Sequence, residues 1–476
     1  MAGGYRQKKW REAERVRVDL NALLGHAVEG GIEEAQIDAL LPRLVEVLGT
    51  IDRQRRAGML PFTELPFAKA ELARTMALAD EVRGEFDDLV VLGIGGSALG
   101  TRVLYQALRP AHHARRPNAD GEMRVHVSDT VDPSAFASLL SGLDPKRTLF
   151  NVISKSGDTP ETMSQFLIVR DVLLRELGAV EYARHVVVTT DATRGTLRQI
   201  INDEGFRSLA FPSDVAGRFS VLSAVSLFPA ACAGIDVAEI LAGAADMDAR
   251  CRDADPWRNP ALLHAGVLHL SEQKGRGVVV LMPYAQPLAA LGPWFCQLWA
   301  ETLGKAHDLE GAVVHRGVTP IAALGPSDQH AQLQLWVEGP DDKTIVFIRV
   351  EDHGPDLTVP TSYEDLESVG YLGGIALGAL VNMEQQATEL ALAKARRPSV
   401  TIVCPHLHGF ALGQILTLLE SEVVILAALL AVNPLDQPGL EEGKQLTYGL
   451  AGRPGAEARR AEVQRWVAKK ETRYVL

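Results

Sequence analysis

Apolar residues change their spacing near residue 85. Before that point they recur at helical intervals through 20–24 and 37–48, so 1–85 reads as a helical N-terminal segment. Beyond it, short apolar runs alternate with amphipathic stretches. Residues 88–94 run into glycines and read as a buried strand, with a helix over 99–108. A second strand over 149–153 precedes a helix over 159–177, and a third over 185–189 precedes a helix over 195–201. Strand, loop and helix repeated in this way predict a parallel sheet with right-handed crossovers. A second series begins near Asn259, with strands over 278–282, 344–350 and 400–404 and a helix over 287–303. The predicted class is α/β, with two doubly wound parallel-sheet halves and helical N- and C-terminal extensions. The halves span 86–245 and 246–435, divided between Asp236 and Asn259. The C-terminal segment, 436–476, ends in a charged amphipathic helix over 457–470 that can wrap back over the body.

Composition narrows the function classes. The net charge of −12 argues against general nucleic-acid binding, and it requires any anionic ligand to find a locally positive site. The basic run over 6–17, broken by Trp10 and acidic residues, reads as the solvated face of a helix. Cys232, Cys251, Cys296 and Cys404 share no C-x-x-C spacing. Cys232, Cys296 and Cys404 lie in apolar runs, as buried thiols of a reducing compartment do. The N-terminus has no apolar signal core. The longest uninterrupted apolar run, 423–432, is too short to span a bilayer and follows Glu420 and Glu422, so it reads as a core helix. A cytoplasmic enzyme without a membrane span is the expectation.

In open parallel sheets ligands sit beyond the carboxyl ends of the strands. The first strand enters Gly93-Ile94-Gly95-Gly96-Ser97-Ala98-Leu99-Gly100. Glycines permit a sharp turn and close backbone approach, and the following helix offers unpaired N–H groups to an anion. The loop lacks the lysine of a P-loop and the acidic partner of a dinucleotide fingerprint, so a plain strand-to-helix turn stands beside the anion reading. The second strand enters Ser154-Lys155-Ser156-Gly157-Asp158-Thr159-Pro160. Here three hydroxyls and an ammonium gather at the mouth of a helix whose first-turn residue is proline. That set matches the several acceptor oxygens of a phosphate dianion. An ordinary N-cap at Asp158 or Thr159 explains one of these residues but not the cluster.

Other segments carry groups that move protons or meet charge. Arg218, in Gly217-Arg218-Phe219-Ser220, precedes a long apolar helix and can face an anionic intermediate, or form a structural ion pair. Gln297 and Glu301 share one face of a helix. Beside Trp299 and Leu303 the carboxylate is expected to be partly desolvated and so a better base; a solvated pair with Gln297, or a pair with Lys305, is the alternative. His330, in Ser327-Asp328-Gln329-His330, opens a helix and is an acid/base candidate or a satisfied helix histidine. His406 and His408 lack a third ligand nearby in sequence, which disfavours a metal site. The turn-rich stretch over 433–444 holds Gln437 and Lys444, either as a functional loop or as a surface connection.

In this order along the chain, Ser-Lys-Ser-Gly, Gly-Arg-Phe-Ser, Gln-Leu-Trp-Ala-Glu with Gly304-Lys305, Asp-Gln-His, and Asp-Gln with a lysine seven residues on resemble the phosphoglucose isomerase family over about three quarters of the chain. The resemblance implies two sugar-isomerase (SIS) subdomains and reversible isomerisation of glucose 6-phosphate and fructose 6-phosphate. It implies that Ser154, Lys155, Ser156 and Thr159 hold the phosphate with Gly96 and Ser97 nearby. Glu301 would shuttle the proton between C2 and C1, and Arg218 with Gly217 would stabilise the enediolate. His330 and Lys444 would open the sugar ring, and Gln297 and Gln437 would fix the substrate. It further implies a homodimer in which His330 crosses the interface, and neither cofactor nor metal. Three positions depart from the family pattern. Asp158 stands where threonine is common, Ala216 where glycine is frequent and Ala98 where many members have aspartate. A carboxylate at 158 would repel a phosphate dianion unless it points away or caps the helix. Alanine at 216 is expected to tighten the Arg218 turn.

Overall fold

The computed structural model describes residues 3–109, 121–354 and 357–476. Its strands, in chain order, are β1 (Arg17–Asp19), β2 (Asp88–Leu92), β3 (Arg124–Ser128), β4 (Thr148–Ile153), β5 (Val186–Thr190), β6 (Arg207–Ala210), β7 (Val278–Pro283), β8 (Lys305–His307), β9 (Val313–Arg316), β10 (Thr319–Ala322), β11 (Lys343–Asp352) and β12 (Ser399–His406). One sheet runs β3-β2-β4-β5-β6, all parallel. The other runs β1-β12-β11-β7-β10, parallel except for β1, and β8 pairs with β9 as a hairpin.

The apolar runs mark the central strands. β2, β4 and β5 are buried along their whole length, as strands covered by helices on both faces must be. Besides the β8–β9 hairpin, the strands that the pattern misses, β1, β3, β6 and β10, lie at sheet edges and are half solvated. β1 also corrects the wholly helical reading of 1–85: Arg17–Asp19 pairs antiparallel with Thr401–Val403 of the second sheet.

The expected boundary between Asp236 and Asn259 holds a helix and a short connection over 252–259. The helix, Val237–Cys251, packs on the core helix Gly409–Leu429. Glycines set that approach, since a Cβ at Gly243 or Gly413 would overlap the backbone of Phe410 or Ile240. Helix Gly409–Leu429 is apolar and long enough to cross a membrane, but it is packed inside the protein. Within it Glu420 has, among the described residues, no hydrogen-bond partner at one carboxyl oxygen, and burial raises its pKa well above the ordinary carboxylate value. Glu422 lies 3.0 Å from the buried His264.

In the first sheet the chain passes from β2 to β3 on one side and then to β4 on the other. The loops after β2 and β4 therefore diverge, leaving a crevice of the kind in which α/β sheets bind ligands. Both glycine- and serine-rich loops lie there.

Candidate active site

The loop after β4 is a polar turn. Ser154 Oγ and Thr159 Oγ1 are 2.9 Å apart, Gly157 N donates to Ser154 Oγ at 3.1 Å, and Ser156 Oγ lies 3.4 Å from Thr159 Oγ1. Gly157 adopts φ +74°, and a side chain there would press on the backbone of Leu197, so glycine fits the turn. The helix that follows starts at Pro160 and extends to Glu181, past the predicted end, with a non-helical break at Gly178. Lys155 reaches back to donate to the Val215 carbonyl at 2.9 Å, and burial lowers its pKa. Asp158 does not cap the helix: its carboxylate turns to Arg453, 3.2 Å away.

The loop after β2 meets the turn Gly217–Phe219 backbone to backbone. A Cβ at Gly96 would overlap the Gly217 carbonyl, and one at Gly95 would come within 2.9 Å of Gln297 Nε2. Ser97 lies half-buried in the same short 3-10 turn. Ala98 is buried, and no side chain caps the helix that begins at Leu99. Ala216 has φ −66° and ψ 146°, an ordinary extended conformation, so alanine there does not tighten the Arg218 turn.

Arg218 is 1% exposed at its side chain and uses every donor it has. Nε donates to Thr302 Oγ1 (2.9 Å), Nη1 to Glu301 Oε2 (3.1 Å) and Gln437 Oε1 (2.8 Å), and Nη2 to the carbonyls of Pro434 and Asp436. Burial lowers its pKa while Glu301 opposes the shift, and a guanidinium starts high enough to stay charged. Glu301 accepts at its other oxygen from Gln297 Nε2 at 2.9 Å. The helix carrying both residues is Leu291–Leu303, and their spacing puts them on one face, as predicted.

The neighbours of Glu301 differ from the expectation. Trp299 and Leu303 are fully buried on the other side of the helix, because residues two apart point in nearly opposite directions. Arg218, not an apolar wall, stands against the carboxylate. Lys305 does not pair with that carboxylate either. Its ammonium donates to the backbone carbonyls of Glu301, Thr302 and Asp436, closing the helix C-terminus.

His330 is placed elsewhere. The expected continuous helix is broken: a 3-10 turn, Ser327–Gln329, ends at His330, and the helix proper is Leu333–Glu338. Asp328 in this turn accepts from Leu324 N (2.7 Å) and Gln332 Nε2 (2.9 Å). The His330 ring is exposed and, among the described residues, makes no hydrogen bond and no ion pair. Lys444 is half-buried on helix Glu441–Leu450, without an ion pair among the described residues. Sequence reasoning missed Thr302, Val215 and the carbonyls at 434 and 436. Only the Gly304-Lys305 end of the helix signalled a cap. His406 and His408 both face the Glu14 carboxylate, at 2.9 and 3.1 Å, from a residue 392 positions before His406.

A family model described as phosphoglucose isomerase matches residues 71–464. The chain is 40% identical to a glucose-6-phosphate isomerase of Carboxydothermus hydrogenoformans over 93% of this chain and 95% of that one. It is 42% identical to that of Rubrobacter xylanophilus, over 90% and 97%. A hypothetical protein of Thermus thermophilus superposes with a TM-score of 0.83 at 35% identity, covering 92% of this chain and all of that one. A glucose-6-phosphate isomerase of Chlamydia trachomatis shares the fold at TM-score 0.73 and 23% identity, covering 84% and 77%. With its crevice loops, its Arg218–Glu301 pair and matches of this extent, the chain belongs to the phosphoglucose isomerase family.

Proposed function

We propose that this chain is an aldose–ketose isomerase that interconverts glucose 6-phosphate and fructose 6-phosphate through a cis-enediolate, in glycolysis and gluconeogenesis. The observation that carries the reading is the pairing of a carboxylate base with a fully buried cation at 3.1 Å, beside two loops suited to an anion. A proton α to a carbonyl leaves only when a positioned base meets it and the developing oxyanion is stabilised. A base contributes about 10²–10⁴-fold.

Ser154, Ser156, Thr159 and Lys155 hold the phosphate, with Gly96 and Ser97 alongside. His330 and Lys444 open the ring. Glu301 then removes the C2 proton of the open-chain aldose, the electron pair forms the C1–C2 double bond, and O1 takes the negative charge. O1 gains a proton as O2 loses one, and Glu301 returns its proton to C1, leaving the carbonyl at C2. Because the protein already occupies every donor of Arg218, its role is that of a fixed positive charge near Gly217. Gln297 and Gln437 hold Glu301 and Arg218 in register with the substrate.

The active unit is a cytoplasmic homodimer in which His330 of the partner subunit completes the site. The exposed, unengaged ring of His330 supports this arrangement. The direct test is turnover of fructose 6-phosphate, read through glucose-6-phosphate dehydrogenase with EDTA present. Sustained turnover is expected. No turnover with phosphosugar binding intact would leave a sensor on the same fold and overturn the reading.

A further inference from the structure

The last segment of the chain is attached by little. Among the described residues, one hydrogen-bonded ion pair joins 441–476 to the rest of the protein: Arg453 Nη1 donates to Asp158 Oδ2 at 3.2 Å. Asp158 belongs to the loop after β4. Arg453 follows helix Glu441–Leu450, which carries Lys444. Its guanidinium lies over the Tyr448 ring at 4.3 Å, and its amide donates to the Tyr448 carbonyl at 3.0 Å. Tyr448 is buried and sits four positions after Lys444, on the same helix face. Behind this helix, Gly449 admits the backbone of Arg460, so helix Glu457–Val467 packs against it as a second layer, with no buried residue of its own.

We infer that Asp158 is a positioning residue: through Arg453 and Tyr448 it clips the helix bearing Lys444 to the loop after β4. This explains how an acidic residue is tolerated in a loop read as holding phosphate. Its carboxylate is paired with a cation, and the pair adds no net charge. The inference rests on the proposed function for the role of Lys444, but the clip itself is a statement about attachment that can be read without substrate.

The test therefore has two readouts on the full-length protein, in Asp158→Asn, Arg453→Gln and the double variant. Amide hydrogen exchange over 441–450, without ligand, is expected to quicken roughly twofold to fivefold in each single variant, the range for a partly exposed ion pair. Turnover is expected to fall by a similar factor in kcat, with the double variant no worse than the poorer single one, because all three break one contact. KM should separate the singles, since removing the Asp158 charge favours an anion and removing Arg453 disfavours it. Arg453→Lys should recover part of the lost kcat. Unchanged exchange in both singles would overturn the clip. Faster exchange with kcat unchanged, or kcat losses that multiply in the double variant, would overturn its role in placing Lys444. Absence of turnover in the unsubstituted protein is a different failure, that of the proposed function, and is seen before any variant is made.

Discussion

Arg218 and His330 stand at opposite extremes of preparation. Arg218 is sealed in the interior with acceptors on all its donors, drawn from Thr302, Glu301, Gln437 and two backbone carbonyls. His330 lies at a break between two short helices, exposed and unengaged. The difference teaches that the groups proposed to bear charge during proton transfer are fixed before any ligand arrives. Of those proposed to open the ring, His330 makes no side-chain hydrogen bond or ion pair among the described residues of its own chain. Preorganised charge is the larger lever in catalysis, because nothing must reorient as the transition state forms.

Breaking the fixed side should have the largest effect. Glu301→Gln is expected to lower kcat about 10²–10⁴-fold while KM stays within about tenfold, by steady-state kinetics. Retained turnover would remove Glu301 from the role of base. Arg218→Lys should cost about 10²–10³-fold in kcat. It should also lower the melting temperature, because an ammonium cannot reach all five acceptors and leaves carbonyls at 434 or 436 unpaired. A full-strength Lys variant would mean that charge alone matters there.

The unengaged side is sharpened by mixing chains. Glu301→Gln and His330→Ala should each be weak alone. Unfolded and refolded together, they should regain activity, because a mixed dimer has one site with both residues intact. No recovery above the separate variants would place His330 within its own subunit's site. A smaller effect belongs to the anion loop, where Lys155→Ala and Ser156→Ala should chiefly raise KM. An unchanged KM in both would move the phosphate elsewhere.

The smallest effect concerns the other buried ionisable group. Unlike Arg218, Glu420 is a buried acid with an unpaired carboxyl oxygen among the described residues, and burial raises its pKa well above the ordinary value. Its folded-state value is raised, so the stability it allows is fully present below the ordinary value of 4.5 and is lost as pH rises toward the folded value. Glu420→Gln, which cannot titrate, should therefore melt a few degrees higher at neutral pH and level with the parent below pH 4.5. A lower melting temperature at neutral pH would show that Glu420 has a use for its charge.

How much could be read beforehand follows from distance along the chain. Ser154–Thr159 is one contiguous turn after a wholly buried strand, so both its place and its polar content were legible. Gln297 and Glu301 needed only helical spacing. The five acceptors of Arg218 lie 83 to 219 residues away, and two of them are backbone carbonyls whose residue types carry no signal. Edge strands such as β3, with the sequence Arg-Val-His-Val-Ser, are half solvated and lack the apolar run that betrays β2 or β4. The wall expected from Trp299 is not what meets the Glu301 carboxylate, because nearness in sequence is not nearness on the helix surface. Glu14 comes to His406 and His408 through tertiary folding alone.

The meeting of Gly96 with Gly217 bears on how this lineage can drift. A Cβ at residue 96 would overlap the Gly217 carbonyl and approach Arg218 N to 2.9 Å, so any replacement there moves the Arg218 turn and the loop after β2 together. Asp158, in contrast, is paired with Arg453, and Ala216 has an ordinary extended backbone. In a saturation library screened for turnover of fructose 6-phosphate to glucose 6-phosphate, 158 should return several residues and 96 only glycine, which makes that contact a point through which descent is channelled.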